Sequence, residues 1–200
     1  MFWGRISGVE ALFAAGIATG LAAVAGIRAY LPLLLIGLFA RLGFFELPAP
    51  FDLLEGWAVM AALAVLAVLE SVLDKVPALE TAVNVAQTPL RMAAGAVLFA
   101  AALGAGLGVE YASELAAGGL LAGAVSGLKA FLRPANDATA AGVSGTFLSA
   151  FEDVVALVGA VIAVFVPLVS LVLVGFLLFF FYRIKRRRRR KFQGLRILGD

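Results

Sequence analysis

Two carboxylates, Glu70 and Asp74, lie four residues apart near the end of an apolar stretch and would share one face of a helix. Lys75 follows them directly and could neutralise one of the two. An ionisable side chain within an apolar segment is costly, so the functional interpretation is a cation or proton site. The alternative is an ordinary helix end at the segment boundary, which applies more to Asp74 than to Glu70.

A second polar set lies on one helical face, at spacings of three and four residues, and consists of Asn84, Gln87, Thr88 and Arg91. In the functional interpretation, the amides of this set line a pathway, and Arg91 either binds an anion or pairs with Glu70. The alternative is a solvated loop that leads into an amphipathic helix start.

The third group spans residues 129–153 and also follows helical spacing. It contains Lys129, Arg133 and Asp137 at every fourth position, then Thr146, Ser149 and Asp153, with Glu152 beside the last. So much polarity between apolar helices is difficult to explain structurally, which favours a binding role.

The overall composition limits the chemistry that these groups can perform. The chain has neither Cys nor His, which excludes disulfides, thiol nucleophiles, Cys/His zinc sites, haem ligation through His and His-containing triads. Hydrophobic residues make up 63% of its 200 residues and charged residues 14%. Mean hydropathy is +1.05. A soluble protein needs more polar surface, and a disordered one needs more charge. We therefore predict an all-α, polytopic transmembrane helix bundle.

Apolar stretches predict the segments of this bundle, since a membrane span needs about 20 such residues. About seven are found, at residues 8–27, 29–43, 56–74, 88–109, 114–132, 135–151 and 153–182. The second and sixth are short or broken and either cross or re-enter, and Pro167 predicts a kink in the last. The bundle occupies residues 1–182, and its first segment is interpreted as a retained helix and not as a cleaved signal.

Basic residues predict the orientation of the bundle. Residues 183–200 form a basic tail with 9 Lys or Arg and 1 Asp. With this tail in the cytoplasm and all seven segments crossing, only Arg5 and Arg41 of the 16 basic residues lie outside. The tail is interpreted as a positive-inside anchor, and the alternative is a patch for anionic lipid or nucleic acid. No nucleic acid partner is expected.

Two nine-residue stretches resemble each other at an offset of 101 residues, Ala23–Leu31 and Ala124–Leu132. Arg28 in the first is matched by Lys129 in the second. Chance similarity between Ala/Gly-rich helices is the alternative, but the charged and aromatic positions match too. We predict an internal repeat with halves at 8–109 and 114–182, a frequent feature of transporters. Whether the repeat is parallel or inverted is open at this point.

Several short motifs carry a family resemblance. They are Gly26-Ile-Arg-Ala-Tyr-Leu-Pro32, Glu70-Ser-Val-Leu-Asp-Lys-Val-Pro77, Gln87-Thr-Pro-Leu-Arg91, Gly127-Leu-Lys-Ala130, Arg133-Pro134 and Glu152-Asp153. Together they resemble an uncharacterised integral-membrane family, domain of unknown function number 4126, from about Ala11 to Tyr182. The resemblance implies a helical membrane protein, mostly bacterial, and hence an inner (plasma) membrane location. It implies no substrate and no catalytic residue.

The leading functional hypothesis is a transporter or channel for an ion, a small anion or a phosphorylated lipid, with no cofactor. The alternatives are a membrane-embedded lipid-phosphate enzyme, in which paired carboxylates bind Mg²⁺, and a non-catalytic assembly factor. A homo-oligomer is also expected, because small bundles often assemble to enclose a pathway. The predicted substrate- or ion-binding residues are Arg28, Glu70, Asp74, Asn84, Gln87, Arg91, Lys129, Arg133, Asp137, Thr146, Glu152 and Asp153.

Overall fold

The computed structural model describes residues 8–74, 80–104, 111–132, 145–176 and 179, without the side chains of 80–85, 131–132 and 145–148. Every regular element among these residues is helical. The α-helices are α1 (Gly8–Ile27), α2 (Tyr30–Arg41), α3 (Trp57–Leu73), α4 (Glu80–Ala102), α5 (Ala112–Leu132), α6 (Gly145–Phe165) and α7 (Pro167–Phe176). A 3-10 turn, Phe51–Glu55, lies before α3.

The first six helices alternate in direction. Helices α1, α3 and α5 run toward one end of the bundle, and α2, α4 and α6 begin there. We call this the charged end, because ion pairs join Arg28, Asp74 and Lys129 there. We call the other the aromatic end, because Phe39, Phe44 and Phe165 meet there edge to face, with ring centroids 5.4–5.9 Å apart. The alternation brings residues that are distant in sequence to the same end.

Small residues let α1, α4 and α5 pack closely. A Cβ added to Gly95 would lie 2.4 Å from the Ala122 Cβ and 2.8 Å from the Gly118 carbonyl oxygen. Only glycine leaves room for two backbones at this separation. Leu21, Leu98 and Ala122 belong to the buried cluster at the centre of the bundle. These three helices are therefore its compact core.

The connection from α2 to α3 is a short ordered segment at the aromatic end. Gly43 has a φ of +81°, and its N–H donates to the Ala40 carbonyl oxygen at 2.8 Å. The Phe44 N–H donates to the Phe39 carbonyl oxygen at 3.1 Å, which completes a Schellman ending of α2. Arg41 lies over the Trp57 ring, 4.2 Å from its centroid. These contacts fix the first turn of α3 against the last turn of α2.

Two predicted boundaries are wrong. Helix α4 begins at Glu80 and not at residue 88, because the polar stripe that suggested a loop is itself helical. Helix α6 runs through residues 151–153, where the sixth and seventh predicted segments were to be separated. The charges of Glu152 and Asp153 suggested a boundary between two segments. Both residues lie inside α6, and their charge partners belong to other elements. The remaining predicted segments agree with α1, α2, α3 and α5 to within a few residues.

The chain bends sharply after α6, at Val166 and Pro167. A Cβ placed on Gly20 would lie 2.7 Å from both the Ala163 Cβ and the Ser170 Cβ, so those two atoms are at most about 5.4 Å apart. A straight helix would separate residues seven apart by about 10.5 Å along its axis. The kink predicted from Pro167 is therefore present, and it divides α6 from α7.

By length and hydropathy, α1 is the one helix among the described residues that could cross a membrane by itself. Helices α2, α3 and α7 are apolar but shorter. The fold shown is thus an all-helical bundle, and the number of membrane crossings stays a prediction.

Candidate functional site

The structure brings eight of the twelve predicted site residues together at the charged end. We call this group, together with the hydroxyls of Ser71 and Ser149, the charged cluster. Its charged members are Arg28, Glu70, Asp74, Arg91, Lys129, Glu152 and Asp153, and Gln87 is its amide. Helices α3 to α6 and the link between α1 and α2 contribute to it. Such convergence follows from the alternating helix directions.

Arg28 lies at the centre of the charged cluster, in the two-residue break between α1 and α2. Its Nη1 is 2.7 Å from Asp74 Oδ2, and its Nη2 is 2.8 Å from Asp153 Oδ1. The Nη2 group also donates to Ser149 Oγ at 3.0 Å. One guanidinium therefore links the end of α1 to both α3 and α6, with the fork geometry that suits carboxylates.

Glu70 faces the N-terminus of α2. Its carboxylate accepts the backbone N–H groups of Ala29 at 3.3 Å and Tyr30 at 3.5 Å. The first N–H groups of a helix have no partner within the helix and carry partial positive charge. Arg91 Nη2 lies 3.5 Å from Glu70 Oε1 and donates to Gln87 Oε1 at 2.7 Å. Of the two alternatives for Arg91, the structure contains the pairing with Glu70.

Lys129 reaches the same carboxylate as Arg28. Its Nζ lies 2.8 Å from Glu152 Oε2 and 3.5 Å from Asp74 Oδ2, and it donates to the Ile27 carbonyl oxygen at 3.4 Å. The two cations matched in the nine-residue stretches therefore both approach Asp74. Glu152 and Asp153 are adjacent and point to different partners, as neighbouring positions on a helix must. Asp153 Oδ1 also accepts the Ser71 hydroxyl at 3.0 Å.

Burial makes these ion pairs energetically important. Arg28, Asp74 and Arg91 are each 1% exposed and Glu70 is 2% exposed. Charges removed from water to this degree are tolerated only when they are paired and hydrogen-bonded. Asp74 Oδ1 and Arg28 Nε are buried without a hydrogen-bond partner in the described part of the chain. By contrast, the side chain of Asp153 is 27% exposed, so the charged cluster has a partly open edge.

Four predicted site residues cannot be placed in the charged cluster. Arg133 and Asp137 lie outside the described residues, as do the side chains of Asn84 and Thr146. The basic tail, residues 183–200, also lies outside them.

The sequence did not identify every group that forms a contact in the charged cluster. Ser149 shares the helical spacing of Asp153 but was not selected as a site residue, and Ser71 had no distinguishing pattern. The N–H groups that contact Glu70 could not be recognised without knowing that a helix begins at Tyr30. Among the described residues, no three carboxylates converge as a metal site would require.

Comparison with known proteins gives a family. The model of the family described as Domain of unknown function (DUF4126) matches residues 15–187. No match was found among curated proteins or among solved structures. The match covers most of the helices described above and includes every residue of the charged cluster. The chain therefore belongs to the DUF4126 family.

Proposed function

We propose that the protein is a polytopic membrane transporter whose charged cluster controls one end of the transport pathway. The membrane location is supported by the outer surface of the bundle. Large apolar side chains are exposed along α3 and α6, among them Val65, Val68, Val72, Val154 and Val158. A soluble protein seldom exposes such continuous apolar faces, whereas lipid covers them at no cost. The most buried charges therefore belong to the charged cluster, and large apolar side chains lie on the outer surface.

The observation that carries the transport proposal is the buried ion-pair network itself. Charged side chains inside a membrane are expensive and mark ion or proton pathways more often than structural contacts. Here three cations from three separate elements and four carboxylates from α3 and α6 meet at one end of the bundle. Ion pairs between helices open and close when the helices shift, so the charged cluster suits a gate.

The proposed internal repeat accounts for how this gate is built. Helices α1 and α5 each run antiparallel to α4, so they run parallel to each other. Their matched residues Arg28 and Lys129 both approach Asp74. This arrangement favours a parallel repeat, in which Asp74 of the first half contacts one cation from each half.

The pairing within the charged cluster favours proton or small-ion exchange over transport of an anion. Arg28, Arg91 and Lys129 each have a carboxylate within 3.5 Å, so an anionic substrate would have to displace carboxylates already in place. Asp74 Oδ1, by contrast, is a buried acceptor without a partner among the described residues, and a hydronium ion or a small cation bound there would supply one.

The proposed orientation places the charged end in the cytoplasm, where basic residues are enriched. The cytoplasmic tail then requires the chain to return after α6. The sharp bend at Pro167 supports such a return.

The test is proton flux into proteoliposomes, followed with a trapped pH-sensitive dye under an imposed potential. We expect protein-dependent flux that falls at least tenfold in Glu70→Gln, Asp74→Asn and Asp153→Asn. Asp52→Asn, which removes an exposed carboxylate at the aromatic end, is the matched control and should retain flux. Flux equal to that of protein-free vesicles would refute proton transport, and undiminished flux in all three variants would refute the role of the charged cluster.

A further inference from the structure

A cavity of about 360 Å³ lies at the aromatic end, remote from the charged cluster. It is bounded by α1, α2, α4, α6 and the connection that follows α2, and it is partly open to the surface. Its walls are apolar and include Leu21, Ile36, Leu98 and Val164. A volume of this size falls within the range of small-molecule binding sites. An apolar wall by itself selects only for hydrophobic shape, so the polar groups at the rim decide which ligand fits.

Glu46 is the one ionisable side chain among the described residues that line the cavity. It is exposed, and its neighbours Phe44 and Phe45 also line the cavity. The Schellman ending of α2 and the contact between Phe44 and Phe165 hold this segment in position. Phe44 is 58% exposed, so part of its ring is accessible at the same rim as Glu46. A carboxylate next to an aromatic ring is a favourable setting for a cation.

The connection between α2 and α3, which contributes Glu46 to the cavity, carries an excess of negative charge. Between Arg41 and Trp57 the chain carries three carboxylates, Glu46, Asp52 and Glu55, and Arg41 is the one basic residue. The guanidinium of Arg41 is already engaged by the Trp57 ring and by the Glu55 carbonyl oxygen at 2.8 Å. A surface with this excess of negative charge attracts cations and repels anions.

We propose that this cavity binds a small organic cation, a protonated amine or a quaternary ammonium with a compact apolar body. The apolar body occupies the space among α1, α4 and α6. The cationic group lies at the rim, between the Glu46 carboxylate and the Phe44 ring. If the protein is the transporter proposed above, such a cation is its substrate class, and this part of the inference rests on the proposed function. Binding to the cavity does not depend on it.

The experiment is isothermal titration calorimetry of the full chain in lipid nanodiscs, with empty nanodiscs as the blank for partition into lipid. The probes are 1-adamantanamine, 1-adamantanol and 1-adamantanecarboxylate, which share one apolar body and differ in charge. We expect the amine to bind most tightly and the carboxylate least. Tighter binding of the carboxylate, or equal binding of the alcohol and the amine, would overturn the proposal, since equal binding indicates a site for neutral apolar groups or lipid chains.

Two variants locate the bound amine. Glu46→Gln should weaken amine binding about three- to fivefold, because an exposed charge pair contributes little more than this. Asp52→Asn removes a carboxylate at the same end that does not line the cavity and should change binding less than twofold. Ala102→Phe should weaken binding of all three probes at least tenfold, since Ala102 lines the cavity and a ring there fills it.

Undiminished amine binding in Ala102→Phe would place the amine elsewhere and overturn the proposal. The proton-flux assay is independent of this titration. A protein that binds the amine without moving protons would contradict the proposed transport and support this site. A protein that moves protons without binding the amine would contradict this site and support the proposed transport.

Discussion

Replacing Arg28 by Met tests whether buried ion pairs hold the charged end together. Arg28 is 1% exposed and contacts Asp74 at 2.7 Å and Asp153 at 2.8 Å. Removing one partner of a buried pair typically destabilises a protein by about 3–5 kcal/mol, because the remaining charge stays buried. Asp74 would keep Lys129 at 3.5 Å, and the side chain of Asp153 is 27% exposed. Both features reduce the loss, so we expect a value near the lower limit, about 3 kcal/mol.

A loss of about 3 kcal/mol corresponds to a decrease of about 150-fold in the folding equilibrium constant. Unfolding is measured by titration with denaturing detergent in mixed micelles and followed by circular dichroism. Arg41→Met is the matched control, because Arg41 is an exposed arginine held by a ring and a backbone carbonyl oxygen. It should lower the free energy of unfolding by less than about 1 kcal/mol.

The double variant Arg28→Met/Asp74→Asn separates this contact from other effects. It should be more stable than the sum of the two single losses predicts, by about 1–3 kcal/mol, since residues in direct contact couple to this extent. If Arg28→Met costs no more than Arg41→Met, or if the two losses simply add, the reasoning about the buried ion pairs is refuted.

Two further predictions concern packing and topology. Gly26→Ala should lower the free energy of unfolding by about 1–3 kcal/mol, since the added Cβ would lie 2.5 Å from the Ala122 carbonyl oxygen. Gly127→Ala is the control at the matched position of the repeat, because a Cβ there would have nothing within 4 Å. It should leave the protein equally or more stable in the same detergent titration. The chain has no Cys, so Asp52→Cys and Gln193→Cys each give a protein with a single thiol. A membrane-impermeant maleimide added to intact spheroplasts should label Asp52→Cys and leave Gln193→Cys unlabelled. Labelling of Gln193→Cys alone would reverse the proposed orientation.

Most of the helices could be predicted because their apolar stretches are long enough to indicate them. Helices α1, α3 and α5 follow hydropathy closely, and the break after Arg28 precedes Pro32, which is well tolerated in the first turn of α2. The start of α4 was missed because hydropathy gave more weight to Asn84 and Gln87 than to their helical spacing. That spacing was the better indicator, since polar residues three and four apart share a helix face in any environment.

The charged cluster could be predicted only in part. Unfavourable charges in apolar segments identify residues such as Glu70 and Arg91 one at a time, because each needs a compensating partner. The partners of Arg28 and Lys129 lie 46 and 55 residues away from them, at Asp74, and spacing along one helix cannot reveal contacts between helices. The cavity at the aromatic end had no sequence signal, because apolar residues that line a cavity and those that fill a core are alike in sequence.

The order in which the charge partners occur along the chain has a consequence for biosynthesis. Glu70 and Asp74 emerge from the ribosome before Arg91 and Lys129, and of the cations in the charged cluster only Arg28 precedes them. In the membrane location proposed above, a helix with two uncompensated carboxylates would enter the bilayer at high cost, so α3 would depend on Arg28 during its own insertion. The same proposal requires α1, α2 and α3 to stay together until Arg91 of α4 and Lys129 of α5 have been made. A chain cut short before Lys129 would then leave the two carboxylates of α3 only partly neutralised.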